Sequence, residues 1–76
     1  MSADLPHAIE GYRTLVGSDV VHDGMYLEVS DGAGYVITVF RSDVNGAMTL
    51  STGRSDIPVE VVEWAIGEAR RRLRAD

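Results

Sequence analysis

The chain has no cysteine, no lysine, two prolines, one phenylalanine and one tryptophan. Without cysteine there is neither a disulfide framework nor a thiolate zinc site, the devices with which small secreted domains usually supplement a small core. A reducing cytoplasm is the expected compartment. No apolar stretch approaches the roughly 18–20 residues that span a bilayer. Met1-Ser2-Ala3-Asp4-Leu5-Pro6 lacks both the basic and the apolar part of a signal peptide, so export under its own signal and a membrane partner are not expected. The missing lysine leaves arginine as the sole strong base, a bias that GC-rich coding produces as readily as function does.

Catalytic and metal constellations are also missing. His7 and His22 are the only histidines, and they lack the close pairing of a helical zinc motif; His22-Asp23 reads as a polar pair before a turn. Asp43-Val44-Asn45-Gly46 begins like a calcium loop, but the glycine comes too early and the twelfth position is Arg54, which repels a cation. Gly32-Ala33-Gly34 leads into a strand, so it presents no helix-terminal amides to a phosphate. No serine stands in a Gly-x-Ser-x-Gly elbow. The chain is therefore expected to be non-enzymatic, with no catalytic residue, cofactor or metal.

Seventy-six residues make one domain over 1–76. A chain of this size buries only about 60–65% of its unfolded surface, enough for one sheet and one or two helices. Formal charge is −5 and unevenly placed: eleven of the twelve carboxylates precede Arg70, opposed there only by Arg13, Arg41 and Arg54, while four arginines lie in the last seven residues. A field of that sign attracts basic surfaces and repels nucleic acid, and the arginines at 70–74 match what a helix C-terminus favours by itself.

Turn signals at Asp23-Gly24, Ser30 to Gly34 and Ser42 to Gly46 divide the middle of the chain into three strands. Met25 to Val29 alternates Met25, Leu27 and Val29 against Tyr26 and Glu28. Tyr35 to Arg41 is apolar on both faces, Tyr35, Ile37 and Val39 against Val36 and Phe40, as a central strand is. Ala47 to Thr52 opposes Met48 and Leu50 to Thr49 and Ser51, which fits an edge strand. Asn45-Gly46 tolerates the positive φ of tight hairpins. Before these, Leu5 to Val16 reads either as a helix interrupted by Gly11 or, preferably, as an extra strand, with Tyr12 to Val16 and Val20 to His22 pairing with the segment from Met25 onward.

The last element is a helix. Pro58 suits its first position, Glu60 and Glu63 its positive end, and Arg70, Arg71, Arg72 and Arg74 its negative end. Val61, Val62, Ala65, Ile66, Ala69 and Leu73 form an apolar stripe that can cover a sheet. The expected fold is α+β: a small antiparallel meander of three to four strands packed against one C-terminal helix.

Trp64 falls on the other side of that helix, among Glu60, Gly67, Glu68 and Arg71, where an indole is either a docking anchor or is covered by the N-terminal segment or a second copy of the chain. Gly67 costs about 1 kcal/mol relative to alanine unless something packs closely against it. Asp19, Asp23, Glu28, Asp31, Asp43 and Asp56 lie in turns and on a polar strand face with few bases among them, and they either form an acidic docking surface or simply solvate the protein. Trp64, Glu60, Glu28, Asp23, Asp31 and Asp43 are accordingly the candidate partner-binding residues.

The segments Val39-Phe40-Arg41-Ser42-Asp43, Ala47-Met48-Thr49-Leu50-Ser51, Asp56 to Trp64 and Ala69-Arg70-Arg71-Arg72-Leu73 resemble small bacterial immunity-type proteins of polymorphic toxin systems. There a Met-Thr-Leu/Phe-Ser strand and an Ile/Leu-Pro-Leu/Val-Glu helix ending in Ala-Arg-x-x-Leu follow in the same order. The resemblance covers about the last forty residues and concerns fold-forming positions. It implies a protein encoded beside a secreted toxin that it binds and blocks. The leading expectation is thus a cytoplasmic, immunity or antitoxin-like inhibitor that meets a basic toxin through an acidic surface. The second is a small homodimer or accessory subunit joined through Trp64 or an exposed sheet face.

Overall fold

The structure, a computed structural model, describes residues 9–74. Four strands follow in chain order, β1 (Arg13–Asp19), β2 (Gly24–Asp31), β3 (Gly34–Ser42) and β4 (Met48–Thr52), and one helix closes the chain, α1 (Val59–Arg72). The strands form a single antiparallel sheet in the order β1-β2-β3-β4, and α1 packs over the two central strands. This is the expected α+β meander with its extra N-terminal strand. No helix among the described residues is long and apolar enough to cross a membrane.

The extra strand ends at Asp19, so Val20 to His22 forms the turn to β2 instead of pairing. Asp19 causes this locally. Its Oδ1 accepts the backbone N–H of Val21 at 3.2 Å and of His22 at 3.1 Å, which folds the chain back before the ladder can continue. The part of the N-terminal reading that rests on residues 1–8, His7 included, lies outside the described residues.

The register explains the core. Leu27 stands between Val16 of β1 and Val39 of β3, and all side chains in that row face the helix. Leu27, Val29, Ile37 and Val39 are buried against Val61, Ala65, Ala69 and Leu73, with Ile9, from the segment before β1, completing the cluster. Alternation fails at one place: Val36 and Ile37 are adjacent yet both fully buried. Between Val29 and Ser30 of β2 the register to β3 shifts by one residue, so Val36 is the extra residue of a β-bulge and turns to the same side as Ile37. Its carbonyl oxygen is taken up by the N–H of Gly53 at 2.8 Å.

Asn45-Gly46 does form a hairpin, but only Gly46 uses positive φ, at 75°, and the loop between β3 and β4 spans five residues rather than two. The Ser42 carbonyl accepts the Gly46 N–H at 2.9 Å, and the Asn45 side-chain oxygen accepts the Ala47 N–H at 2.9 Å.

The helix begins one residue later than its sequence suggests. Pro58 is extended, with ψ of 139°, and precedes the first helical residue, while its carbonyl accepts the N–H groups of Val61 and Val62. Position 58 needs no N–H in either placement, which is why proline fits both. Glu60 lies in the first turn and Arg70, Arg71 and Arg72 in the last, as the dipole favours. Gly67 is exposed, and a Cβ there would meet nothing within 4 Å, so no close packing requires this glycine. Gly67→Ala is therefore expected to stabilise the domain by about 0.5–1 kcal/mol in urea unfolding; an unchanged or lowered midpoint would contradict it.

Candidate functional site

One helix covers one face of a sheet, and among the described residues nothing covers the opposite face of this four-stranded sheet, which is its open face. The pairing places Leu15, Gly17 and Asp19 of β1, Tyr26 and Glu28 of β2, Thr38 and Phe40 of β3 and Thr49 and Ser51 of β4 on that side. Three aromatic rings of this face lean over glycines. Tyr26 lies across its cross-strand partner Gly17, where a Cβ would come within 2.5 Å of the phenol oxygen. Phe40 covers Gly24 and Tyr35 covers Gly53 in the same way. The glycines thus let the rings lie down on neighbouring backbone, a known device for filling the space above a strand glycine.

Between them lies a concavity of about 480 Å³, lined by Tyr26, Glu28, Thr38, Phe40 and Thr49 from the sheet and by Asp19 and His22 at the β1–β2 turn. Its lining contains two carboxylates and neither lysine nor arginine. The two carboxylates differ. Asp19 is engaged: besides its two backbone bonds it meets His22 Nδ1 at 2.9 Å, and that hydrogen bond holds its carboxyl below the usual carboxylate range. The His22 ring stands edge-on to Phe40 at a centroid distance of 6.4 Å, joining the turn to the sheet. Glu28 sits half-buried on a central strand between Leu15 and Thr38, and its carboxylate makes no hydrogen bond or ion pair among the described residues. A carboxylate in mid-sheet with no protein partner is free to meet a cation from outside.

The six residues expected to bind a partner do not form one surface. Glu28 alone lies on the open face. Asp23 and Asp43 meet at the end of the sheet where the β1–β2 and β3–β4 turns are joined by the Asp43 N–H to Asp23 carbonyl bond of 2.8 Å. Asp19 shares a shallow concavity of about 350 Å³ with them. Asp31 is at the far end of β2 and is neutralised: Arg54 donates to both its oxygens, at 2.9 and 3.0 Å, and depresses its carboxyl. Arg54 and Asp31 are 23 residues apart in sequence, so the pair has no local signal. Glu60 and Trp64 belong to the helix layer, across the sheet from Glu28. Trp64 is half-buried and packs against the core cluster, which corrects the expectation of an indole on the polar side of the helix.

The arginines near the end of the chain are partly occupied. Arg71 donates to Glu68 at 2.6 Å, and this bond is the main cause of the lowered Glu68 carboxyl. Arg72 reaches Thr14 of β1 at 2.8 Å and ties the helix end to the sheet.

Sequence reasoning missed Tyr26, Thr38, Phe40, Thr49 and His22 as site residues and had Asp19 only as one carboxylate of an acidic surface. The signal was present: alternation assigns Tyr26 and Glu28 to one face of β2 and Phe40 to one face of β3, and a single helix leaves one sheet face uncovered. Against known protein families, curated proteins and solved structures, the chain matches none.

Proposed function

We propose that this protein is a non-enzymatic binding module whose open sheet face docks a basic protein, acting as an immunity or antitoxin-like inhibitor. The observation that carries the reading is the concavity of about 480 Å³, in which an unpaired Glu28 stands beside Tyr26 and Phe40 with neither lysine nor arginine in the lining and with His22 turned to Asp19. Tyrosine and other aromatics dominate the energetic centres of interfaces, and an unopposed carboxylate supplies the complementary charge for a cationic surface. The sheet has room for such a contact. The molecule is a slab of 35 × 30 × 17 Å, and a standard interface takes about 800 Å² from each partner. The overall charge of −5 steers a basic partner toward it at low salt.

The homodimer is the weaker reading. Two copies meeting through their open faces would bring like-charged Glu28 and Asp19 carboxylates together, and Trp64 is already packed on its own core.

Thr38 pairs with Glu28 in the floor of the concavity. Thr38→Arg is expected to abolish capture of a basic partner from the cells that make this protein, whereas Glu63→Arg, a larger charge change on the exposed face of the helix, is expected to retain it. The wild-type complex should dissociate as salt rises. Equal retention by both variants would contradict the reading.

A further inference from the structure

We infer that the open-face concavity is a receptor for one arginine side chain of the basic partner, with the Glu28 carboxylate taking the guanidinium and the Tyr26–Phe40 pair taking its stem and flat face. The inference rests on the docking role of that face and names the chemistry that the face recognises.

The arrangement of the floor supports it. Glu28 and Thr38 form one cross-strand pair, and Tyr26 and Phe40 form the next pair on the same side of the sheet. Two residues along a strand span about 6.6 Å, within the reach of an extended arginine whose fork meets Glu28 while its methylenes lie along the rings. A volume of about 480 Å³ suits a whole side chain, since pockets for small ligands run from about 300 Å³ upward.

Charge and shape together select arginine. Asp19 is held by His22 and two backbone N–H groups, so Glu28 is the carboxylate left to accept a pair of parallel N–H bonds. Aromatic rings beside that carboxylate favour a planar, weakly hydrated guanidinium over the compact, strongly hydrated ammonium of lysine. Thr38 and Thr49 add hydroxyl oxygens that accept from the remaining N–H groups. A neutral ligand would leave Glu28 desolvated and unpaired, a cost that makes the site selective for a cation.

Titration of the whole chain with Nα-acetyl-arginine amide, followed by amide chemical shifts, tests this. Saturable shifts are expected at Tyr26, Glu28, Thr38 and Phe40. The isosteric neutral citrulline analogue should bind at least about tenfold more weakly, as should the arginine probe to Glu28→Gln, whose spectrum reports its fold directly. The lysine analogue should also bind more weakly than arginine. Shifts confined to other surfaces, equal binding of arginine and citrulline or of arginine and lysine, or an unchanged affinity in Glu28→Gln would each overturn the inference. Failure here separates from failure of the docking role: if the probe does not bind while Thr38→Arg still abolishes capture of a basic protein, the face docks its partner without an arginine pocket. If the probe binds as expected but Thr38→Arg leaves capture intact, the pocket stands and the partner docks elsewhere.

Discussion

Leu27→Ala is expected to leave the chain largely unfolded at 25 °C. Leu27 is fully buried in the middle of the sheet, flanked by Val16 and Val39 and roofed by the helix residues of the core. Truncating such a leucine costs about 2–5 kcal/mol through lost transfer energy and the cavity left behind. A domain of this size, with no cysteine and so no disulfide to support it, rarely has more than about 3–5 kcal/mol to lose. Far-ultraviolet circular dichroism and urea titration measure the effect; a urea midpoint close to that of the wild type would show that Leu27 does not occupy the centre of the core.

One residue further along the same strand the expected outcome reverses. Glu28→Arg should fold as the wild type does, with a stability change within about 0.5 kcal/mol, because the side chain points to the open side and its stem can lie along Leu15 across the strand. Partner binding should nevertheless weaken by about 2–5 kcal/mol, thirtyfold or more, because the new cation meets the cation it replaced a partner for. Adjacent positions with opposite phenotypes follow from the two-residue period of a strand that has a covered and an open face. Loss of fold in Glu28→Arg, or unimpaired binding, would refute that division.

Much of this architecture is legible in the order of residues. Val61, Ala65, Ala69 and Leu73 recur every four positions and mark the helix face that meets the sheet, and Leu27 with Val29 marks the matching face of β2. Trp64 was misplaced for a geometric reason. A spacing of four drifts about 40° per step against the helix period, so near the helix start the buried stripe lies toward Val61, and Trp64 flanks it by about 60°. Ile9 left no trace because a lone apolar residue before a strand carries no periodicity. Val36 was assigned to the wrong face because a bulge interrupts alternation without any change in composition.

The site was less legible than the fold because it depends on what covers what. Acidity along the chain suggested one surface, yet the turns distribute Asp23 and Asp43 to one end of the sheet and Asp31 to the other, where Arg54 cancels it. Glu28 looked like one carboxylate among many. Its distinction lies in the residues around it, Tyr26, Thr38 and Phe40, which strand pairing assembles from two strands.

The central claim is that the open sheet face, and not the helix layer, receives the partner. Photo-crosslinking in the cells that make the protein tests it most directly, with p-benzoylphenylalanine placed in turn at Leu15, exposed on the open face beside the concavity, and at Glu63, on the exposed side of the helix. The account predicts a crosslinked basic protein from position 15 and none from position 63. Crosslinking from position 63 with none from position 15 would contradict it.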